Sequence, residues 1–239
     1  MSRSCTRRAT CLLLPMLAAC HRGPAADTFF PLAPGHHWTY RITTRADNGG
    51  TSHESLGLVS LDTDLLPDEG KGMPGHRRSD DGVEYWLRAD DSGVHRLARR
   101  SIHDPQRRSD TPPRPVLKTP YTVGTTWQAS TTAYLLVRRF DFPREVRHTY
   151  PPVPMEYRIE SADETVETPA GRWTHCLRVR GTAAMRVYAD PVIGWREVPL
   201  TTLEWYCPKV GLVRLERSEP APTSFMAGGS QHWELMAFR

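Results

Sequence analysis

Long apolar runs are missing from this 239-residue chain. No stretch of about 18 consecutive apolar residues occurs, which excludes a protein that crosses a bilayer repeatedly on apolar helices. Lysine is scarce, at positions 71, 118 and 209 alone, and asparagine occurs once, at 48. Arginine therefore carries nearly all the positive charge, a usage that points to a GC-rich coding sequence more than to a function. Short chemical signatures are missing too: there is no G-x-S-x-G, H-E-x-x-H, G-x-x-x-x-G-K, G-x-G-x-x-G or C-x-x-C. His36-His37 is the one adjacent histidine pair, and neighbours on a strand point to opposite faces, so it chelates poorly. Asp80-Asp81 and Asp90-Asp91 sit beside glycine, where turn chemistry accounts for them. No catalytic residue, metal site or cofactor is expected. Finally, no segment shows a capped apolar period of 3.6, so few or no helices are expected.

What is present begins with an address. Arg3, Arg7 and Arg8 precede an 11-residue apolar stretch from Ala9 to Ala19, too short to span a bilayer but suited to a signal peptide. It closes on Leu17-Ala18-Ala19-Cys20, which resembles the lipobox of bacterial lipoproteins. That resemblance implies a signal peptide over 1–19, a lipidated Cys20 with a short tether over 20–28, and one domain over 29–239. His21, where an Asp resembles an inner-membrane retention signal, implies anchoring in the outer membrane, facing the periplasm. The formal charge of +4 falls to +1 once the three signal-peptide arginines leave, so nucleic-acid binding is not indicated.

From residue 29 onward the chain reads as strand after strand. Trp38 to Thr43 alternates apolar and polar, Asp47-Asn48-Gly49-Gly50 is a turn, and Ser52 to Asp62 returns. Val83 to Ala89 and Val94 to Arg99 flank a second turn. Further strands are expected over 127–137, 155–160, 164–167, 173–179, 186–189, 200–207, 212–217 and 232–238. Local connections predict an all-β, mainly antiparallel meander, strongly curved into a half-barrel. Three stretches, 67–80, 101–120 and 141–154, are rich in proline, glycine and charge and read as exposed loops. Gly35-x-x-Trp38 and Gly124-x-x-Trp127 echo one another, each turning the chain into a strand that opens on tryptophan.

Outside the first twenty residues, Cys176 and Cys207 remain. They either form a disulfide in an oxidising compartment or stay as free thiols. Their parity looks awkward. Cys176 alternates with Arg178 and Arg180, and Cys207 with Leu203 and Trp205, so pairing calls for a bulge or a sheet covered in part on both faces.

Three segments together resemble a family of bacterial periplasmic proteins and lipoproteins to which no activity is attached. They are Pro31-Leu32-x-x-Gly35-x-x-Trp38-x-Tyr40, then Pro169-Ala170-Gly171-x-Trp173-x-x-Cys176-Leu177-x-Val179, and finally Glu204-Trp205-Tyr206-x-Pro208-x-Val210-Gly211-Leu212-Val213. The resemblance implies a curved sheet similar to that of periplasmic lipoprotein carriers, and it transfers no catalytic residue. On such a sheet Trp38, Trp86, Trp127 and Trp205 are candidates to line an apolar ligand site. The leading expectation is a non-enzymatic, lipid-anchored envelope protein that binds a lipid or other apolar ligand, or a protein partner, on the curved sheet. The alternative is an assembly lipoprotein docking another envelope protein through a sheet edge and the proline-rich loops. A hydrolase with an unrecognised site comes last.

Overall fold

The computed structural model describes residues 25–63, 71–139, 150–190 and 192–239. The signal peptide expected over 1–19, the lipobox resemblance and Cys20 fall outside these residues, as does most of the stretch 141–154. Fourteen strands and no helix occupy the described residues: β1 (His37–Ala46), β2 (Thr51–Leu61), β3 (Met73–Ser79), β4 (Glu84–Asp90), β5 (Gly93–Arg100), β6 (Arg108–Lys118), β7 (Thr126–Thr131), β8 (Val137–Arg138), β9 (Val153–Thr168), β10 (Gly171–Asp190), β11 (Gly194–Cys207), β12 (Gly211–Glu219), β13 (Met226–Ala227) and β14 (Gly229–Phe238). Twelve make one antiparallel sheet in the order β6-β5-β4-β3-β2-β1-β14-β12-β11-β10-β9-β7, while β8 and β13 pair apart from it.

The curvature expected from the sequence goes further than a half-barrel. The sheet curls until its edges β6 and β7 lie together, and Arg114 Nε on β6 donates to the Ser130 carbonyl on β7 at 3.1 Å. Strand twist supplies part of this curl, and bulges between Thr39 and Tyr40, Trp86 and Leu87, and Trp205 and Tyr206 add to it. Backbone pairing does not complete the ring because Pro112, Pro113 and Pro115 remove three N–H donors from β6. Here the expectation of an exposed loop over 101–120 is corrected: proline-rich sequence forms the edge strand, a position that tolerates missing donors. The loop expected over 67–80 likewise yields β3. Gly75 lies against Leu32, which leaves no room for a Cβ, so its glycine serves close packing and not a turn.

One core fills much of the barrel, drawing Leu87 and Val94 from one half of the sheet and Ile159, Val179 and Leu200 from the other. Residues before β1 also enter it. Phe29 meets the Tyr121 ring edge-on at 5.1 Å, and Pro31 accepts from Arg77 Nη2 at 2.6 Å. The Arg77 guanidinium is buried between the Phe30 and Trp38 rings, 4.0 and 4.3 Å from their centroids. Burial lowers its pKa to about 10. The repeated glycine device is real in geometry: Gly35 and Gly124 both have positive φ, 90° and 96°, and each leads into a strand whose tryptophan is buried.

A second cluster gathers Trp38, Tyr40, Trp205, Cys176 and Cys207. Cys176 and Cys207 are joined by a disulfide. The parity difficulty disappears in the register of β10 with β11. Arg178 stands directly across from Trp205, and Arg180 from Leu203. The arginine series and the apolar series share one face, because arginine stems lie along apolar surface while their heads reach acids. Arg178 meets Glu160 and Glu164 at 3.3 and 2.9 Å, and Arg180 meets Glu160 at 2.6 Å.

Candidate functional site

Register defines the concave face row by row, since directly opposed residues point to the same side. One row runs Ile42, Trp233, Leu215, Glu204, Val179 and Ile159 across β1, β14, β12, β11, β10 and β9. The next runs Thr44, Gln231, Arg217, Thr202, Gly181, Tyr157 and Trp127. The ends of these rows nearest β7 are buried in the core. Their middle is not sealed: Trp233, Leu215, Gln231 and Glu204 all keep partial solvent exposure. This half-open apolar floor, bordered by polar groups, is the candidate site.

Glu204 is its chemical centre. Tyr206 Oη donates to Glu204 Oε2 at 2.5 Å. Burial pushes the Glu204 carboxyl above the usual carboxylate range, while the Tyr206 hydrogen bond, the Arg114 and Arg217 charges and the Thr202 hydroxyl oppose that rise. Burial and the adjacent Glu204 carboxyl hold the Tyr206 phenol far above its ordinary value, and Tyr157 is pushed up to about 12 by burial. Trp127 stacks on Tyr157 with centroids 5.5 Å apart, and its indole N–H is buried without a protein acceptor among the described residues. The site thus offers aromatic and aliphatic surface next to a carboxyl, phenols and two guanidinium groups.

A carboxyl whose folded pKa exceeds its unfolded value favours folding while protonated. That contribution is present below the unfolded value near 4.5 and fades as pH rises through the folded one. Glu204→Gln is therefore expected to gain stability relative to the parent as pH rises from 5 to 8. Urea unfolding midpoints at both pH values check this, and a constant difference between the two proteins contradicts it.

At one end of the site, Glu219 ties the connecting chain to the barrel. Fully buried, it accepts at Oε2 from the backbone N–H groups of Tyr134, Leu135 and Leu136 at 3.0, 2.8 and 3.0 Å. Its Oε1 accepts from Arg217 Nε at 2.5 Å. Arg217 in turn donates to the Thr132 carbonyl at 2.9 Å and lies 4.5 Å from the Tyr134 ring centroid. Tyr134 Oη and Trp233 Nε1 converge on Gln231 Oε1 at 2.9 and 2.7 Å, which fixes the floor of the cleft.

The four tryptophans expected to line a ligand site are placed otherwise. Trp38, Trp86, Trp127 and Trp205 are 2, 4, 6 and 8% exposed and fall in three separate clusters. Trp38 donates to the Val210 carbonyl at 2.7 Å. Trp86 stacks on His76 at 4.8 Å, and Trp205 packs with the disulfide below the Arg214 guanidinium. Trp127 alone of the four stands in a row that reaches the cleft. Sequence reasoning passed over Trp233, Leu215 and Glu204. The alternation Val198, Leu200, Thr202, Glu204, Tyr206 carried the signal, but the companion series Leu203 and Trp205 looked equally apolar.

Other grooves lie on the sheet elsewhere. One of about 520 Å³ is lined by His37, Val59, Arg78, Asp80 and Arg239. Two more, of about 350 and 290 Å³, adjoin at Arg45, Ser230 and His232 on the face opposite the cleft.

No protein-family model matches this chain, and no curated protein matches it. Two solved structures are similar over most of their length. A presumed lipoprotein from Parabacteroides distasonis shares 15% identity at a TM-score of 0.40, covering 89% of this chain and 98% of its own. A presumed exported protein with a YmcC-like fold from Bacteroides fragilis shares 16% identity at a TM-score of 0.39, covering 89% and 99%. At that overall similarity neither neighbour carries an argument about what this chain does.

Proposed function

We propose that this chain is a non-enzymatic protein of the bacterial cell envelope, anchored through a lipidated Cys20 at the outer membrane, that holds an apolar ligand with a polar end in the cleft of its curved sheet. Trp233 and Leu215 contact the apolar body, and the Glu204 carboxyl, held by Tyr206, receives the polar end. The observation that carries this reading is the partly exposed Trp233–Leu215 floor on a concave face whose β7 end is packed. Apolar surface left uncovered inside a barrel invites a ligand, and a few convergent polar groups orient it. Strand addition at a sheet edge finds less support, because β6 and β7 lie against each other and β6 lacks donors at three prolines.

Native mass spectrometry tests the proposal. A chain starting at residue 21, secreted to the periplasm behind a cleavable signal, is expected to carry an added mass that extracts into organic solvent. A bare polypeptide mass, unchanged after incubation with envelope lipids, overturns ligand carriage.

A further inference from the structure

The turn between β10 and β11 concentrates exposed apolar surface. Tyr188, Val192, Ile193 and Trp195 are 38, 94, 39 and 55% exposed within eight residues of sequence. The β8–β13 ribbon adds Val137 and, just before β13, Phe225, both about half exposed. It is held to the hairpin by Arg138, whose Nη2 donates to the Tyr188 carbonyl at 2.6 Å. Ordinary surfaces scatter such residues singly, so their convergence at one end of the molecule marks an interaction surface. Arginines border it. The Arg186 guanidinium lies 5.2 Å from the Trp195 ring centroid, Arg196 donates to the Trp195 carbonyl at 3.2 Å, and Arg139 donates to the Met226 carbonyl at 2.9 Å. Arg138, Arg139, Arg186 and Arg196 thus give this end an arginine-rich border, with Glu197 directly across from Arg186.

We propose that this hairpin tip is an interfacial lipid-binding element that inserts its aromatic and branched side chains at the surface of an anionic bilayer. Tryptophan and tyrosine favour the depth of lipid headgroups, and arginines beside them meet anionic phosphates. A second copy of the chain fits worse. The excess of arginine repels its own image, and one hairpin tip offers far less area than a stable dimer buries. The site is separate from the lipid anchor. β11 runs 14 residues from the tip at Gly194 to Cys207, 13 steps of about 3.3 Å or roughly 43 Å, and Thr28, eight residues after Cys20 in sequence, lies near the Cys207 end, where its carbonyl accepts from Lys209 N at 2.7 Å. The tip is therefore a second membrane contact at the opposite end of the barrel.

The test uses the chain from residue 21, which keeps every residue of the described fold and lacks the lipid, so it succeeds or fails independently of ligand binding in the cleft. Co-sedimentation is measured with vesicles of phosphatidylcholine alone and with 30% phosphatidylglycerol. The expected result is binding at least tenfold stronger to the anionic vesicles, weakened by 0.5 M salt, with a loss of roughly fivefold for each of R186Q and R196Q. The triple variant V192S/I193S/W195S is expected to lose binding while its thermal melt stays close to the parent's, since these side chains are exposed. Equal binding to both vesicle types, or undiminished binding by a folded triple variant, overturns the proposal. So does a parent that ignores both vesicles yet cross-links through the tip to an envelope protein, which assigns the surface to a protein partner.

Discussion

Glu219→Ala is expected to destabilise the domain by about 3–5 kcal/mol, the cost of breaking a buried ion pair by removing one member. The reasoning rests on what the carboxylate leaves behind. Arg217 is 7% exposed and would be left without its carboxylate partner, and three successive backbone N–H groups of 134–136 would lose their shared acceptor. Each unpaired buried donor adds its own desolvation penalty. For a domain of this size such a loss lowers the melting temperature by on the order of 10 °C. Glu219→Gln, which keeps an acceptor oxygen but not the charge, should fall between the two. Thermal and urea unfolding measure the effect, and a change under 1 kcal/mol for the alanine variant refutes this account of how the connecting chain is held to the barrel.

Reduction of Cys176–Cys207 is the second large effect. The bond links residues 31 apart in sequence, and the chain-entropy relation assigns a loop of that length roughly 3.5–4 kcal/mol. Little of this should come from the folded state. The β10–β11 ladder already places Leu177 opposite Tyr206, so the adjacent cysteines face each other whether bonded or not. The double variant C176S/C207S should therefore keep the fold and unfold at lower urea, as should the parent in reductant. Identical midpoints with and without reductant would mean that the cross-link does not restrict the unfolded chain.

Some of this architecture is legible in the residues, and the reason is locality. The Asp47–Gly50 turn between β1 and β2 closes with Ala46 N donating to the Gly50 carbonyl at 2.8 Å, and Gly49 takes φ of 89°. At the β4–β5 turn, Asp90 Oδ1 accepts from Ser92 N at 2.9 Å. Both turns depend on a few neighbouring residues, and both can be read from them. β6 and β3 cannot, because a proline-bearing segment becomes a strand only when a neighbour supplies the other half of the ladder. The 20-residue span of β10 is likewise hidden: Gly181 interrupts its apolar pattern, yet it packs against Met155 and Tyr157 in the core.

The site was harder still. Which face of β11 looks inward depends on its register with β12 and β10, a matter of partners far away in sequence. Leu203 and Trp205 satisfy an apolar alternation as well as Leu200 and Tyr206 do, because arginine stems cover the outer pair. Only the opposition of Glu204 to Leu215, and of Leu215 to Trp233, identifies the inward series and brings a carboxyl to an apolar floor. Tryptophan count alone does not separate core rings from ones that border a cleft, since a large ring fills a core as readily as it lines a cleft.

The most direct measurement compares native mass spectra of the parent and a Leu215→Arg variant, both secreted and purified alike from the envelope. Leu215 is partly exposed, so an arginine there can extend into the cleft without entering the packed core. The account predicts an extractable added mass on the parent, none on the variant, and matching thermal melts. The same added mass on both proteins, or none on the parent, would contradict the assignment of the cleft as the ligand site.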